Sequence, residues 1–170
     1  MRYRPATLED LRDVQSIERA AGEAFRSIGM DEIADDAPIA ASEFEHCIAR
    51  GDAWIMTTDD GSPVAYLLLE GVDDALHVEQ VTVHPSYARR GYGAQLLEVA
   101  RRRSVESDVA VMTLTTFRDV PWNAPYYLRL GWTELPTSKW GPELAKKVES
   151  EAAHGLAAWT RVVMHRRTDD

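Results

Sequence analysis

Residues 77 to 103 read HVEQVTVHPSYARRGYGAQLLEVARRR, and the rest of the chain is organised around them. The stretch from Leu76 to Val83 is rich in β-branched residues and alternates in polarity as a strand does. From Gly91 to Arg103 the small and apolar residues follow a helical spacing instead. The sequence therefore predicts a strand that passes through a short loop into a helix. The residues on the helical stripe are Gly93, Leu96, Leu97 and Ala100.

The loop between this strand and helix, Pro85 to Gly93, has the composition of an anion site. Arg89 and Arg90 stand immediately before Gly91, where the helix begins. Backbone N–H groups at a helix start are unpaired, the helix dipole is positive there, and glycine lets a phosphate approach the main chain closely. We therefore expect a diphosphate to bind. The alternative is a purely structural role, a tight turn that opens a helix packed on a sheet.

Two common nucleotide-binding motifs do not match this loop. The Rossmann fingerprint requires a third glycine three residues after Gly93, but Leu96 occupies that position. The Walker motif requires Gly-Lys-Ser or Gly-Lys-Thr, which the segment lacks. A dinucleotide or P-loop nucleotide is therefore not the expected ligand.

The segment resembles the acetyl-CoA motif of the GNAT family of N-acetyltransferases. That motif is a strand ending V-x-V-x-P, a short spacer, then Q/R-x-x-G-x-G/A and a helix; Val81–Pro85 and Ala88–Ala94 match it. One departure is Ala88 at the Q/R position, which weakens one contact, because the family holds the diphosphate mostly through backbone N–H groups. The resemblance implies coenzyme contacts from Val81, Thr82, Val83, Arg89, Arg90, Gly91, Tyr92, Gly93 and Ala94.

A second stretch, Trp122 to Trp132, resembles the closing motif of the same family, a helix that ends in Y-x-x-x-G-F. Tyr127 stands at the tyrosine, and Gly131 fits a helix C-terminus, where a left-handed residue is favoured. Asn123 is a candidate for contact with the pantetheine arm, although it lies closer to the tyrosine than is usual in the family. The resemblance implies that Tyr127, or its neighbour Tyr126, protonates the departing thiolate.

The activity that this resemblance implies is transfer of an acetyl group from acetyl-CoA to a primary amine. A lysine-like amine has a pKa of about 10.4, so it must lose a proton before it attacks. Glu79, two residues before Val81, is the predicted base, acting directly or through a water; Glu70 and His77 are alternatives. A solvated strand-edge carboxylate is the non-catalytic interpretation of Glu79. A main-chain N–H of the strand would meet the oxyanion.

The implied fold is α/β, a mixed and mostly antiparallel sheet of six to seven strands flanked by helices, with a parallel splayed pair at the coenzyme site. We expect one domain over residues 1–170. In the family, the first helix–loop–helix lines the acceptor side, so Phe25, Met30 and Phe44 are candidates for substrate contact or for the core. The predicted elements are strands at Arg2–Ala6, Ala53–Thr58, Val64–Leu69, Leu76–Val83, Val109–Thr115 and Trp159–Met164, helices starting at Thr7, Ser42 and Gly91 and spanning Gly141–His154, a loop at Ser27–Ala41 and a turn at Gly71–Asp74.

Composition narrows the function further. The chain has 170 residues and a net charge of −9, which argues against nucleic-acid binding and is compatible with attraction of cationic amines. Cys47 is a single cysteine, and the histidines lack metal-ligand spacing, so neither a disulfide nor a metal is expected.

No stretch reads as a membrane span or secretory signal, which predicts a cytoplasmic protein. A small-molecule amine is favoured over a protein N-terminus or lysine. Homodimerisation through Trp140 or Trp159, and a catalytically silent acyl-CoA-binding module, are also considered.

Overall fold

The computed structural model describes residues 2–153 and 158–169, and the strands of these residues form one seven-stranded mixed sheet. The strand order is β1-β2-β3-β4-β5-β7-β6. The strands are β1 Arg2–Pro5, β2 Ala53–Thr57, β3 Pro63–Val72, β4 Ala75–Val83, β5 Val111–Phe117, β6 Thr133–Glu134 and β7 Arg161–Arg167. The helices are α1 Leu11–Arg26, α2 Asp31–Ala34, α3 Ala41–Ala49, α4 Tyr92–Glu106, α5 Ala124–Arg129 and α6 Pro142–Ala153.

The pairing of β4 with β5 is parallel, whereas β1 with β2, β2 with β3, β5 with β7 and β6 with β7 pair antiparallel. The parallel register joins Leu76, His77 and Val78 to β5, although β4 continues to Val83. A parallel pair requires a crossover connection, which α4 supplies. The predicted mixed sheet, mostly antiparallel and with one parallel pair, is confirmed.

The chain divides into two compact units. The first contains the residues up to Leu69 together with Gln80–Val99, and the second contains Glu70–Glu79 together with the residues from Ala100 onward. Strands β3 and β4 and helix α4 contribute residues to both units. That residues 1–170 act as a single domain stays a prediction.

The core of the first unit forms where the apolar stripe of α1 packs with α3 and the inner strands. Val14 and Ile17 of α1 and Phe44 and Cys47 of α3 are buried there, with Phe44 completely inaccessible to solvent. Met30 is also buried. Of the two roles that the sequence left open for Phe44 and Met30, substrate contact or core packing, their burial supports core packing. Cys47 is a buried thiol.

A charged cap fixes the beginning of α1. The carboxylate of Asp10 accepts a hydrogen bond of 2.8 Å from the Thr7 backbone N–H and two from the Arg4 guanidinium, at 2.7 and 2.8 Å. Burial alone would raise the pKa of Asp10, but these donors together hold it below its usual value. Thr7, predicted as the N-cap of the first helix, caps a short 3₁₀ turn, Leu8–Asp10, and α1 itself begins at Leu11 with Asp10 as its N-cap.

A second core holds α6 in the second unit. Leu144 packs with Val72 and Val163, and Trp140 lies beside them and donates its indole N–H to the Leu135 carbonyl at 3.0 Å. The turn between β3 and β4 also caps α6: the Asp73 carboxylate accepts from the Glu143 and Leu144 backbone N–H groups at 3.1 and 3.0 Å. A Cβ on Gly141 would lie 2.3 Å from this carboxylate, so any other residue there would displace the Asp73 side chain that caps α6.

Several predicted boundaries are wrong. The stretch predicted as the loop Ser27–Ala41 contains helix α2, and β3 continues through Gly71 to Val72 before the turn. Val109 does not begin β5, because it takes part in the end of α4. Its N–H donates to the Ser104 carbonyl at 2.9 Å, and the residue before it, Asp108, has a left-handed conformation. Strand β7 begins at Arg161 rather than Trp159, and β6 was not predicted. His154, the predicted end of α6, lies outside the described residues.

Candidate active site

The loop that joins β4 to α4 is built to present backbone N–H groups. After a 3₁₀ turn at Pro85–Tyr87, the first hydrogen bond of α4 runs from the Gln95 N–H to the Gly91 carbonyl, at 3.0 Å. The amides of the preceding residues, Tyr92 to Ala94, lie in the first turn, where a helix offers no acceptor. These amides form the positive end of α4.

Two left-handed residues shape this loop, Arg89 with φ +61° and Gly91 with φ +80°. Such residues turn neighbouring N–H groups toward a common concavity that suits an anion. A Cβ on Gly91 would meet no atom within 4 Å, so its backbone conformation, and not lack of space, favours glycine. Arg89 is exposed, while Arg90 donates to the Ser86 carbonyl at 3.3 Å and lies over the Tyr87 ring.

A small cavity of about 180 Å³ lies in the same unit, between α1, α2 and the end of β4. Thr82, in the stretch that the resemblance assigns to the coenzyme, lines this cavity. A Cβ on Gly22 would lie 3.4 Å from the Ala34 carbonyl oxygen, so glycine allows α1 and α2 to approach closely. The lining residues are Glu18, Arg19, Ala21, Gly22, Phe25, Ile33, Ala34, Asp36, Gln80 and Thr82.

Glu18 is the best-held polar group of this cavity. Its Oε1 accepts from the Gln80 side-chain amide and its Oε2 from the Ile39 backbone N–H, both at 3.0 Å. Tyr66 is fully buried close by, and burial together with the Glu18 charge raises the pKa of its phenol well above the usual value. Glu18 therefore presents a fixed carboxylate to the cavity. Sequence reasoning missed Glu18 and Gln80, because they lie 62 positions apart without a shared motif.

Tyr127 lies on the short helix α5, in the second unit, and is half-buried. Its ring meets the rings of Tyr126 and Trp132, at centroid distances of 5.4 and 6.0 Å. Burial raises the pKa of both tyrosines, and proximity to Tyr126 raises that of Tyr127 further. Gly131 has φ +82°, as expected for the residue that ends the helix. A phenol in this environment stays protonated at physiological pH and is a weaker acid than an exposed tyrosine.

Asn123, which precedes α5, directs its side-chain amide to the Thr116 hydroxyl at 2.8 Å. Its backbone carbonyl accepts from the N–H groups of Tyr126 and Tyr127. The residue therefore ties α5 to β5 in this structure. Its contact with the pantetheine arm stays a prediction.

Glu79 has a partner that the sequence did not reveal. Its Oε2 lies 2.5 Å from the Nζ of Lys147, on α6, and the same Nζ lies 3.0 Å from Oε2 of Glu70. The two carboxylates considered as bases thus share one ammonium. Burial alone would lower the pKa of Lys147, but ion pairing with Glu79 and Glu70 raises it. Glu79 does not line the cavity, whereas the next residue, Gln80, does.

His77, the other alternative base, is buried, and its Nδ1 lies 2.9 Å from the Thr113 hydroxyl. Burial, reinforced by the charges of Lys147 and Arg161, lowers the pKa of His77 to about 3. The imidazole is therefore neutral at physiological pH and too weak a base to accept a proton from an ammonium.

The sequence carries only a misleading signal for Lys147. Glu143, Lys147 and Glu151 recur every four residues, a spacing typical of ion pairs along an exposed helix face. In the structure Lys147 pairs with β3 and β4 instead, while Glu151 pairs with Arg161 of β7 at 2.9 Å. Burial raises the pKa of Glu151.

Neither a metal-ligand cluster nor a membrane-spanning helix is present among the described residues. No group of three or more His, Cys, Asp or Glu side chains in residues 2–153 and 158–169 is arranged to hold a metal ion. Within the same ranges, no helix combines the length and apolar character needed to cross a bilayer.

Three solved structures share this fold at low sequence identity. The PaiA N-acetyltransferase from Thermoplasma acidophilum, solved with coenzyme A, has a TM-score of 0.67 at 13% identity, and 98% of each chain is covered. The ribosomal-protein-S18-alanine N-acetyltransferase from Escherichia coli has a TM-score of 0.64 at 19% identity, covering 98% of this chain and 93% of that one. N-acetylglutamate synthase from Neisseria gonorrhoeae, solved with coenzyme A and N-acetyl-glutamate, has a TM-score of 0.75 at 14% identity, covering 98% of this chain and 35% of the synthase.

A family model decides the classification. The model of the acetyltransferase (GNAT) family matches residues 13–132, which is more than half of the chain. The matched region contains the β4–α4 segment and ends at Trp132, the last residue of the closing motif. The chain therefore belongs to the acetyltransferase (GNAT) family, and it is an N-acetyltransferase whose expected acyl donor is acetyl-CoA.

Proposed function

We propose that the protein acetylates the primary amine of a small molecule by direct attack of the amine on the thioester of acetyl-CoA. The observation that carries this proposal is the cavity between α1, α2 and β4, which reaches Thr82 of the strand assigned to the coenzyme. Its volume of about 180 Å³ is below the roughly 300–1,000 Å³ typical of sites for drug-sized ligands. A cavity of this size favours a compact amine over a folded protein.

The chemistry of the cavity favours a cationic acceptor with an apolar part. Glu18 and Asp36 supply carboxylates, while Phe25 and Ile33 supply apolar walls. Glu18 is already oriented by two hydrogen bonds, so it can bind an ammonium with little loss of side-chain freedom. Arg19 also lies at the cavity, where it would favour acceptors that carry an additional acidic or polar group.

The coenzyme lies, in this proposal, along the end of β4 with its diphosphate at the start of α4. Val81, Thr82 and Val83 are half-buried, so their main chain is partly accessible to the pantetheine amides. The first-turn amides and the left-handed residues Arg89 and Gly91 support diphosphate binding. This arrangement depends on backbone groups, and the loss of one side-chain contact at Ala88 leaves it intact.

The transfer step forms a C–N bond and breaks the C–S bond of the thioester. The amine loses its proton to Glu79, directly or through an ordered water. A backbone N–H of the Val81–Val83 stretch stabilises the oxyanion. Tyr127, in the role that the family resemblance implies, donates its proton to the departing thiolate and is reprotonated from solvent.

Binding is tested first. Calorimetric titration with acetyl-CoA, and separately with NADH and ATP, is expected to show selective binding of acetyl-CoA. Thiol release is then measured with a panel of small primary amines and with peptides that carry a free N-terminus or lysine. Turnover with peptides alone would overturn the small-molecule assignment. Acetyl-CoA binding without turnover on any acceptor would support the silent binding module instead.

Two substitutions test the acceptor assignment. Glu18→Gln is expected to raise the KM for the amine tenfold or more, about 1.4 kcal/mol, while the affinity for acetyl-CoA stays unchanged. Glu23→Gln, an exposed position on the same helix, is the matched control. An unchanged KM in the Glu18 variant would remove this carboxylate from the acceptor site.

The tyrosine that protonates the departing thiolate is identified by comparing the Tyr127→Phe and Tyr126→Phe variants. We expect the Tyr127 variant to lose about 100-fold in kcat, the lower end of the range for general acid–base catalysis. Its KM for acetyl-CoA should change little, since the ring remains. If Tyr126→Phe has the larger effect, the assignment passes to Tyr126.

A further inference from the structure

We propose that Gln15 is a positioning residue of the acceptor site, which holds one wall of the cavity, residues 31–39, and thereby sets the size of the amine that fits. This inference rests on the proposed function, in which the cavity holds the acceptor. Gln15 does not line the cavity and acts through Ile39. Both residues belong to the first compact unit, which also contains all the residues that line the cavity.

The cavity wall consists of helix α2 and the chain that follows it. Ile33, Ala34 and Asp36 of this wall line the cavity together with residues of α1 and β4. Helix α2 has only four residues, and so short a helix is not stable by its own hydrogen bonds. The position of the wall therefore depends on its contacts with α1.

The wall is bound to α1 at Ile39. The backbone carbonyl of Ile39 accepts a hydrogen bond from the Gln15 side-chain amide at 2.9 Å, and its N–H donates to Oε2 of Glu18 at 3.0 Å. Gln15 and Glu18 lie three positions apart on α1 and therefore on the same face of the helix. The Ile39 side chain packs against the core of the first unit. One helix face thus binds both backbone polar groups of a single residue.

A second contact holds the start of the wall, and it is the weaker of the two. Arg26 of α1 pairs with Asp31 and Asp35, but both carboxylates are exposed, and water screens such pairs. Gln15 and Ile39 are half-buried instead. We therefore expect the hydrogen bonds at Ile39 to determine where the wall lies.

Asp36 is the lining residue most directly affected by these contacts. Only Asp36, Ala37 and Pro38 separate Asp35 from Ile39, and the ring of Pro38 restricts the backbone further. The Asp36 carboxylate accepts from the Ala37 N–H at 2.9 Å. If Ile39 is released from α1, Asp36 can move and the cavity can widen. Compact amines should then bind less well, and bulkier amines should be excluded less strictly.

Gln15 allows the wall to be tested separately from the carboxylate that faces the cavity. Glu18 accepts from Ile39 through Oε2 and from Gln80 through Oε1. Each carboxylate oxygen can accept two hydrogen bonds, so Glu18 retains capacity for an ammonium. Replacement of Glu18 would remove both this capacity and its bond to Ile39. Replacement of Gln15 removes a bond to the wall alone.

The first experiment measures amide hydrogen exchange of Ile39 by NMR in the wild type, in Gln15→Met and in Arg12→Met. Methionine has nearly the length of glutamine but donates no hydrogen bond, and Arg12 is an exposed residue of the same helix. We expect the Ile39 amide to exchange about fivefold faster in Gln15→Met and at the wild-type rate in Arg12→Met. Thermal unfolding checks the fold. An unchanged rate in a folded Gln15→Met protein would overturn the inference.

Kinetics supply the second readout, with acetyl-CoA and two amine probes, n-propylamine and 2-phenylethylamine. The ratio of kcat/KM for the compact amine to that for the bulky amine should fall about tenfold in Gln15→Met, while the KM for acetyl-CoA stays unchanged. Arg12→Met should keep the wild-type ratio. Faster exchange at Ile39 with an unchanged ratio would also overturn the inference. If the wild-type protein acetylates no primary amine, the proposed function is wrong, and the exchange rates alone decide whether Gln15 holds the wall.

Discussion

The loop between β4 and α4, Pro85 to Gly93, and the cluster of Lys147 with Glu70 and Glu79 use charge in opposite ways. In the loop, Arg89 and Gly91 are exposed, and the positive end of α4 is made of backbone amides. In the cluster, the partly buried ammonium of Lys147 on α6 pairs with two carboxylates, Glu70 of β3 and Glu79 of β4. A substitution that changes the charge of the loop should alter the free energy of unfolding little. A substitution that breaks an ion pair of the cluster, or the neighbouring Glu151–Arg161 pair, should lower it. In the proposed function the loop binds the coenzyme, whereas the cluster is part of the framework.

The largest effect on stability is expected from Arg161→Met. This change leaves Glu151 partly buried without its partner, and breaking such a pair costs about 3–5 kcal/mol. Urea unfolding at pH 7 measures the loss. Adding Glu151→Gln should recover part of it, because the uncompensated charge is then gone. Arg118→Met, which breaks an exposed pair with Glu134, is the control and should cost less than about 1 kcal/mol. If Arg161→Met and Arg118→Met lower the free energy of unfolding equally, partly buried and exposed ion pairs do not differ in their contribution to stability.

Gly91→Asp should weaken the binding of acetyl-CoA without unfolding the protein. Asparagine and aspartate both tolerate the left-handed conformation, so Gly91→Asn is a control of equal size without the charge. We expect the aspartate variant to bind acetyl-CoA about 100-fold more weakly than the asparagine variant, roughly 2.7 kcal/mol. Calorimetry gives the affinities, and thermal unfolding checks the fold. Equal affinities would show that the coenzyme diphosphate does not lie at Gly91.

His77 predicts a pH dependence that belongs to the framework alone. Its pKa is about 3 in the folded protein and about 6.5 when unfolded, so below pH 6.5 the unfolded chain takes up a proton that the folded one refuses. The stability is complete above pH 6.5 and is lost as the pH falls toward 3. Between pH 7 and pH 5 the loss is about 2 kcal/mol. His77→Gln should reduce this loss in unfolding experiments at pH 7 and pH 5, and an unchanged loss in this variant would contradict the expectation.

The smallest effect is expected for Arg26→Ala. Arg26 pairs with Glu23, Asp31 and Asp35 in an exposed cluster at the end of α1. Surface ion pairs contribute little, because water and salt screen them. The free energy of unfolding should fall by less than about 1 kcal/mol, and the difference should shrink further in 0.5 M salt. A loss comparable to that of Arg161→Met would show that the number of ion pairs, and not their burial, governs stability.

The predictable parts of the molecule are those that depend on neighbours in sequence. The β4–α4 segment and the helix that ends at Gly131 follow from local patterns, and the parallel strand after α4 follows from the strand–helix–strand order. The cavity and the cluster depend on distant pairs, Glu18 with Gln80 and Lys147 with Glu79. Helix periodicity placed Lys147 on an exposed face, and only tertiary packing reveals its partners.

The cap on α6 has a consequence for the order of folding. Asp73, in the turn between β3 and β4, binds first-turn amides of a helix about 70 positions later in the chain. Closing so long a loop carries an entropic cost that local contacts do not, and contacts of this separation slow folding. Helix α6 therefore gains its cap only after the β3–β4 turn exists. We expect α6 to dock after this turn has formed, and the amides capped by Asp73 to be among the first of the second unit to lose hydrogen-exchange protection when the cap is removed.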